Sequence, residues 1–353
     1  MFRVEALPAG NGDALLLEWG PSDADVHRML IDGGVGSSYP SLRARLLQLP
    51  TNARGDRLID LLVITHVDND HIEGVILALT DPDVRLRPAD VWFNGWPQLR
   101  RPGSGDLGAK QGEWLGALLE RGGLPWNKAF RRADRQRVQV PDPKRLPRRK
   151  IAGLELVLLS PTGTQLDVLR EDWNFAIRNA GGVPGNVDAA IKQLKANGRL
   201  VPEMLGGADD SKTNASSIAF TATYDKRRAL LTGDAFRDTV ASSLRQLAKD
   251  EKSEGPIPIN LFKLCHHGSI RNIDGSLLAA MKCSHFLVCT DGSGRSKHPN
   301  AATINLIIDT VKGAELIFNY RLPTTSPWSR TSDQKARDYT AVYPKSGVTI
   351  VDV

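Results

Sequence analysis

Residues 60–74 read DLLVITHVDNDHIEG, an apolar run that stops at a knot of ligand-type side chains. Asp60 to Thr65 has the length and branching of a fully buried strand, and Ile72 to Leu79 resumes as an apolar helix. Between them, His66, Asp68, Asp70 and His71 place two imidazoles and two carboxylates within six residues. A turn of that length can wrap all four around one point. Imidazole suits Zn, Mn and Fe, and carboxylate favours the harder members of that set.

Other strand-like runs stop in the same manner. Arg228 to Thr232 runs into Gly233-Asp234, and Asn260 to Leu264 into Cys265-His266-His267-Gly268-Ser269. His285 to Cys289 is followed by Asp291 and then His298-Pro299. Ligands in α/β sheets gather beyond the carboxyl ends of strands, so these loops are expected to share one mouth. Five of the seven histidines lie in these segments, a concentration that solvation does not explain.

Strand and helix alternate through the second half: strands at Ser217 to Thr223, Glu315 to Tyr320 and Val348 to Val353, helices at Arg237 to Lys249 and Asn300 to Val311. The class is therefore α/β. Near the start, Phe2 to Leu7 and Ala14 to Trp19 flank Gly10-Asn11-Gly12-Asp13, which reads as a hairpin turn, with Asp13 facing the site as the lesser alternative. Two blocks, approximately 96–150 (basic, rich in Gly and Arg) and 162–213 (polar and helical), read as insertions on a single domain spanning 1–353.

The 353 residues, 41% hydrophobic and 24% charged, can bury a substantial core. No apolar run approaches the roughly 20 residues of a membrane span. The opening MFRVEALPAGNGD is unlike a signal peptide, and three cysteines cannot staple a chain of this size, so a reduced, cytoplasmic setting is expected. Net charge is +6, yet Lys128 to Lys150 carries ten basic and two acidic residues, or +8, which leaves −2 for everything else. Arg131, Arg132, Arg135, Arg137, Lys144, Arg145, Arg148, Arg149 and Lys150 are thus candidates for a polyanion footprint, a solvated loop being the plain alternative. Trp96 and Trp126, near this segment, are expected to serve packing rather than base stacking.

THVDNDH resembles the metal-binding signature of the metallo-β-lactamase superfamily, His-x-His-x-Asp-His, with Asp68 at the middle histidine's place as in the ComEC-like branch. GNGDALLLEW, LIDGG, NASSIAF, LLTGD, KLCHHGS and a late His-Pro continue the resemblance in order. It implies a four-layer αββα sandwich with two divalent metal ions, Mn or Zn, at one edge. His66, Asp68, Asp70, His71, Asp234 and His266 would hold the metals, with Asp234 bridging them. Asp32 would orient the 66–71 loop. Asn214 stands where many members have a further ligating histidine, which makes one metal position oxygen-rich. The resemblance implies a nuclease or phosphodiesterase cleaving DNA with a hydroxide activated by the two metals, with Asp70, His267 and His298 in catalytic roles. Small phosphodiesters, lactones or thioesters are the alternative substrates, and a non-catalytic binding or regulatory subunit is the alternative role. A protein partner in a multi-gene, defence-type system is compatible with stand-alone members of this group.

Overall fold

A computed structural model describes residues 1–100, 110–179, 185–196, 210–344 and 348–353. The blocks 96–150 and 162–213 therefore lie partly outside the described residues. The fold is mixed α/β and is built on two large sheets. The smaller has six strands in the order Thr349–Asp352, Phe2–Ala6, Leu15–Ser22, Asp25–Ile31, Leu61–Val63 and Val91–Trp92. The larger has eight, in the order Tyr339–Val342, Ala314–Phe318, His285–Val288, Leu261–Lys263, Arg227–Leu231, Ala219–Tyr224, Leu154–Ser160 and Arg148–Ile151.

Alternation along the strands shows what each face buries. Leu15, Leu17, Trp19, Leu61 and Val63 share a core with Leu156, Leu158 and Phe220 of the larger sheet. Leu16, Leu30, Leu62 and Ile64 instead share one with Ile72, Val75 and Ile76 of the helix Asn69–Thr80. The smaller sheet is thus covered on both faces, which is why residues 61–64 are continuously apolar. Burying a leucine completely is worth roughly 1.5–3 kcal/mol, so this run anchors the loop that follows it.

Leu61–Val63 runs parallel to Asp25–Ile31, and Leu261–Lys263 parallel to Arg227–Leu231 and His285–Val288. Within each sheet the carboxyl ends therefore emerge together. The basic segment does not float free of the scaffold. It leads into Arg148–Ile151, the terminal strand of the larger sheet, and sinks Phe130, Val138 and Val140 into the core they share with Trp92 of the smaller sheet's terminal strand. Its last three residues, Arg148 to Lys150, belong to the edge strand Arg148–Ile151 paired with Leu154–Ser160, which the charge run concealed in the sequence.

The double glycine of LIDGG has a steric cause. Gly33 N–H donates to the His71 carbonyl at 2.8 Å, and Gly74 N–H donates to the Gly34 carbonyl at 3.0 Å. A Cβ on Gly74 would lie 1.9 Å from the Gly33 carbonyl oxygen, inside any real contact. Gly74→Ala is expected to destabilise the fold by about 1–3 kcal/mol as the helix is forced off the loop. Gly255→Ala, where a Cβ meets nothing within 4 Å, should stay within about 0.5 kcal/mol. Urea midpoints of the two variants measure the difference.

Candidate metal centre

The centre forms where the loops after Leu61–Val63, Arg227–Leu231 and Leu261–Lys263 meet. Imidazole ring centroids lie 4.2 Å apart for His66 and His71, 5.2 Å for His71 and His267, 5.9 Å for His266 and His267, and 5.0 Å for His266 and His298. Ligand-type atoms of His66, His71 and Asp234 all lie within 4.8 Å of one another, as do those of Asp70, His71 and His267. His71 Nε2 is 3.5 Å from Asp234 Oδ1, and His267 Nε2 is 3.7 Å from both Asp70 Oδ2 and Asp234 Oδ2. Asp68 Oδ2 stands 3.5 Å from His66 Nε2.

The Nδ1 side of each buried ring is tied down. Asp32 accepts from Thr65 N–H (2.8 Å) and from the Thr65 hydroxyl (2.7 Å), and its Oδ2 lies 2.8 Å from His71 Nδ1. With its proton given to Asp32, Thr65 Oγ1 is left to accept from His66 Nδ1 at 3.0 Å, and Ser217 Oγ lies 3.2 Å from the same nitrogen. His267 Nδ1 is 2.9 Å from the Cys289 carbonyl oxygen, which can only accept. Each ring is therefore fixed with Nδ1 as donor, and the lone pair of Nε2 faces the cluster. Among the described residues, the buried Nε2 atoms of His66, His71 and His267, together with Asp234 Oδ1, have no hydrogen-bond partner. An orphaned buried polar atom costs about 1–3 kcal/mol, and these four, converging on one spot, fit a cation that satisfies them.

Electrostatics agree with that fit. Burial disfavours a charged His71, yet Asp234, Asp32 and Asp70 outweigh it and hold its pKa well above that of a free imidazole. Burial likewise disfavours an ionised Asp234, but His266, His267 and His71 hold its carboxyl far below the usual range. Surroundings that favour a second proton on His71 also favour a divalent cation, which would take that proton's place on Nε2 and use its lone pair. His298 has the opposite setting: burial, then His266 and His267, push it down to about 4.

The structure separates the two adjacent histidines. His267 is 2% exposed and belongs to the groups that converge within 4.8 Å, whereas His266, the ligand expected from the sequence, is absent from those groups. His266 Nε2 is 3.6 Å from Asp234 Oδ2, and its Nδ1 lies 3.1 Å from Asn272 Oδ1. Both histidines adopt left-handed backbone, φ +46° and +53°, followed by Gly268 at +88°. Left-handed φ on two non-glycine residues stores about 1–3 kcal/mol each, and His267 Nε2, like that of His266, lies near Asp234 Oδ2, at 3.7 Å. Asn214 Nδ2 lies 3.4 Å from His266 Nδ1, which brings that residue to the rim as well.

Two expectations need correction. Gly10 to Asp13 is more than a tight hairpin turn. Asn11 Nδ2 donates to Asp70 Oδ2 at 2.9 Å, Asp13 N–H donates to the Asp70 carbonyl, and a Cβ on Gly12 would sit 1.6 Å from that carbonyl oxygen. The footprint of nine basic residues also shrinks. Arg137 is 3% exposed and bonds the Gln98 and Leu99 carbonyls and Asp167, so it braces the interior. Arg149 stacks 4.2 Å over the Phe130 ring and donates to the Ala129 carbonyl, and Arg148 pairs with Glu155 and Glu251. Arg135 is half-buried, while Arg131, Arg132, Lys144, Arg145 and Lys150 are exposed. Trp96 is buried and Trp126 stacks on Phe93, so both serve packing. Sequence reasoning missed Thr65, Asn272 and Lys263, since no motif marks a residue whose role is to hold another.

No family model matches the sequence, and a search of curated proteins finds no match. Among solved structures, the chain is similar to CmlA, a diiron β-hydroxylase from Streptomyces venezuelae, at 13% identity and TM-score 0.44, covering 100% of this chain and 54% of that one. It therefore spans about half the length of CmlA. It is also similar to Igni18, a metallo hydrolase from the hyperthermophilic archaeon Ignicoccus hospitalis KIN4/I, at 11% identity and TM-score 0.40, with 99% of each chain covered. Among the described residues, no helix is long and apolar enough to cross a membrane.

Asp32→Asn keeps a side chain that tolerates the +57° φ of this position but removes the carboxylate from His71 and Thr65. It is expected to weaken binding of Mn or Zn about 10–100-fold, as outer partners of ligating histidines do. Competition with a chromogenic chelator measures the loss.

Proposed function

We propose that this chain is a metal-dependent hydrolase of the metallo-β-lactamase type and that its substrate is a phosphodiester, in the first instance DNA. In this reading the two sheets and their helices make the αββα sandwich of one domain, with blocks 96–150 and 162–213 inserted into it. The convergence of three buried, lone-pair-bearing Nε2 atoms on Asp70 and Asp234 carries the proposal. His66, Asp68, Asp70, His71, Asp234 and His267 would hold two divalent ions, with His266 at the rim. Such ions lower the pKa of water and neutralise charge on phosphoryl oxygens. The oxygen-rich side at Asp68 and Asn214 favours Mn over a tight pair of Zn ions.

The chain's own residues supply the rest. His267 gives its Nδ1 proton to Cys289 and turns a lone pair inward, so it is a ligand in this scheme and not the acid. That leaves His298, beside His266, as the ring placed to hydrogen-bond the departing oxygen. Its depressed pKa means that it offers a neutral N–H rather than a charge. Arg131, Arg132, Lys144, Arg145 and Lys150 would follow a phosphate backbone, with affinity that falls steeply as salt rises. A protein partner in a defence-type system is consistent with the same scheme.

Protein loaded with Mn, Zn, Mg or Ni is expected to cleave single- or double-stranded DNA, and Asp70→Ala/His71→Ala to abolish cleavage while circular dichroism stays unchanged. Cleavage restricted to small diesters would move the substrate to the cyclic-nucleotide class. Fewer than one bound ion per chain would leave only a binding role. Independently, combined charge reversal of Arg131, Arg132, Lys144 and Arg145 should weaken DNA binding at least tenfold yet change turnover of a chromogenic small diester less than twofold. Equal losses on both substrates would remove the segment from substrate binding.

A further inference from the structure

One pair of charged groups beside the centre has no part in the scheme so far. Lys263 is fully buried, an unusual place for an ammonium, and it ion-pairs with Asp13 Oδ2. Asp13 is 1% exposed, and its other oxygen, Oδ1, has no hydrogen-bond partner. The carboxylate stands on the Nδ1 side of two rings, with Oδ1 3.4 Å from His267 Nδ1 and Oδ2 4.0 Å from His71 Nδ1. The cluster, by contrast, is faced by Nε2. Asp13 therefore stands on the Nδ1 side of both imidazoles, paired with Lys263, although one of its oxygens also lies within 4.8 Å of ligand-type atoms of Asp234 and His267.

A buried ammonium close to a cation site is unfavourable unless it offsets something. Five carboxylates surround these rings: Asp13, Asp32, Asp68, Asp70 and Asp234. Among the described residues one ammonium, Lys263, stands against them, which leaves four negative charges, the number that two divalent ions neutralise. Without Lys263 the excess would be five, and without Asp13 it would be three.

Resting on the function proposed above, we propose that Asp13 and Lys263 act as one positioning unit. The carboxylate steadies His267 and His71 from their Nδ1 side, and the ammonium cancels its charge so that the centre is set for two divalent ions rather than one. The unit touches no substrate and acts through the histidines. It also explains why the loop carrying Asp13 is clamped to Asp70 by Asn11 and by the backbone of Asp13 itself.

The test compares wild type with Asp13→Asn and with Asp13→Asn/Lys263→Met. Each is loaded with Co(II) and read by absorption spectrum, by ion count per chain and by thermal midpoint. Asp13→Asn, with three excess charges, is expected to stay folded, bind its second ion about 10–100-fold more weakly and change its Co(II) spectrum. The double variant restores the excess of four and is expected to regain two ions per chain. Wild-type affinity and spectrum in Asp13→Asn would overturn the proposal, and so would a double variant no better than the single. If Asp13→Asn does not fold, the double variant carries the test alone, and fewer than two ions in it overturns the proposal. A wild type that takes up fewer than two ions would fail the function proposed above, a result separate from any difference between the variants.

Discussion

Asp32 holds the centre together. It sits at the end of Asp25–Ile31 in a left-handed conformation that few residues other than glycine adopt, and a short polar side chain is what makes that turn tolerable. From there one carboxylate accepts from the Thr65 backbone and hydroxyl and from His71. Thr65, its proton committed to Asp32, passes the orientation on to His66. One carboxylate thus fixes the tautomer of two rings and ties the strand Asp25–Ile31 to the loop after Leu61–Val63. Without it, the imidazoles would be free to turn Nδ1 towards the cluster, and the convergence of lone pairs would be lost.

Much of this arrangement was legible in the sequence, because strand ends and ligand-type residues coincide in the chain before they coincide in space. The run Leu61 to Ile64 announced a strand buried on both faces, and the two cores on its opposite sides account for that pattern. The loops carrying His66, Asp70, His71, Asp234 and His267 do meet. Which of two consecutive histidines turns inward was not legible. It depends on left-handed φ at both His266 and His267 and on the Cys289 carbonyl that receives the His267 proton, neither of which a local pattern encodes. Asp13 was legible only as the lesser alternative at a hairpin turn, for a related reason. Asn-Gly predicts a turn from local preference, and only the distant Lys263 reveals that the turn's acid is buried.

The basic segment shows the limit of counting charges. Guanidinium groups have two uses, solvated charge and planar donors for carbonyl oxygens, and sequence alone does not separate them. Arg137 spends its donors on the Gln98 and Leu99 carbonyls, and Arg149 lies over Phe130, where Phe130, Val138 and Val140 pack into the core shared by the two sheets. The same arginines that raise the local charge therefore help seal the core, and the surface charge available to a partner is smaller than the sequence sum.

Glycine placement joins fold and centre into a single constraint. Gly33 and Gly74 let the LIDGG loop lie against the helix that begins at Asn69, and Gly12 lets the first hairpin loop lie against the Asp70 carbonyl. The two loops hydrogen-bond the adjacent Asp70 and His71 carbonyls, so the end of the 66–71 loop is held in place by backbone packing before any side chain is considered. A centre whose ligands sit on a six-residue turn needs that rigidity, since a shift of the turn would carry His66, Asp68, Asp70 and His71 away from Asp234 together. The glycines are thus as much a part of the ligand geometry as the imidazoles are.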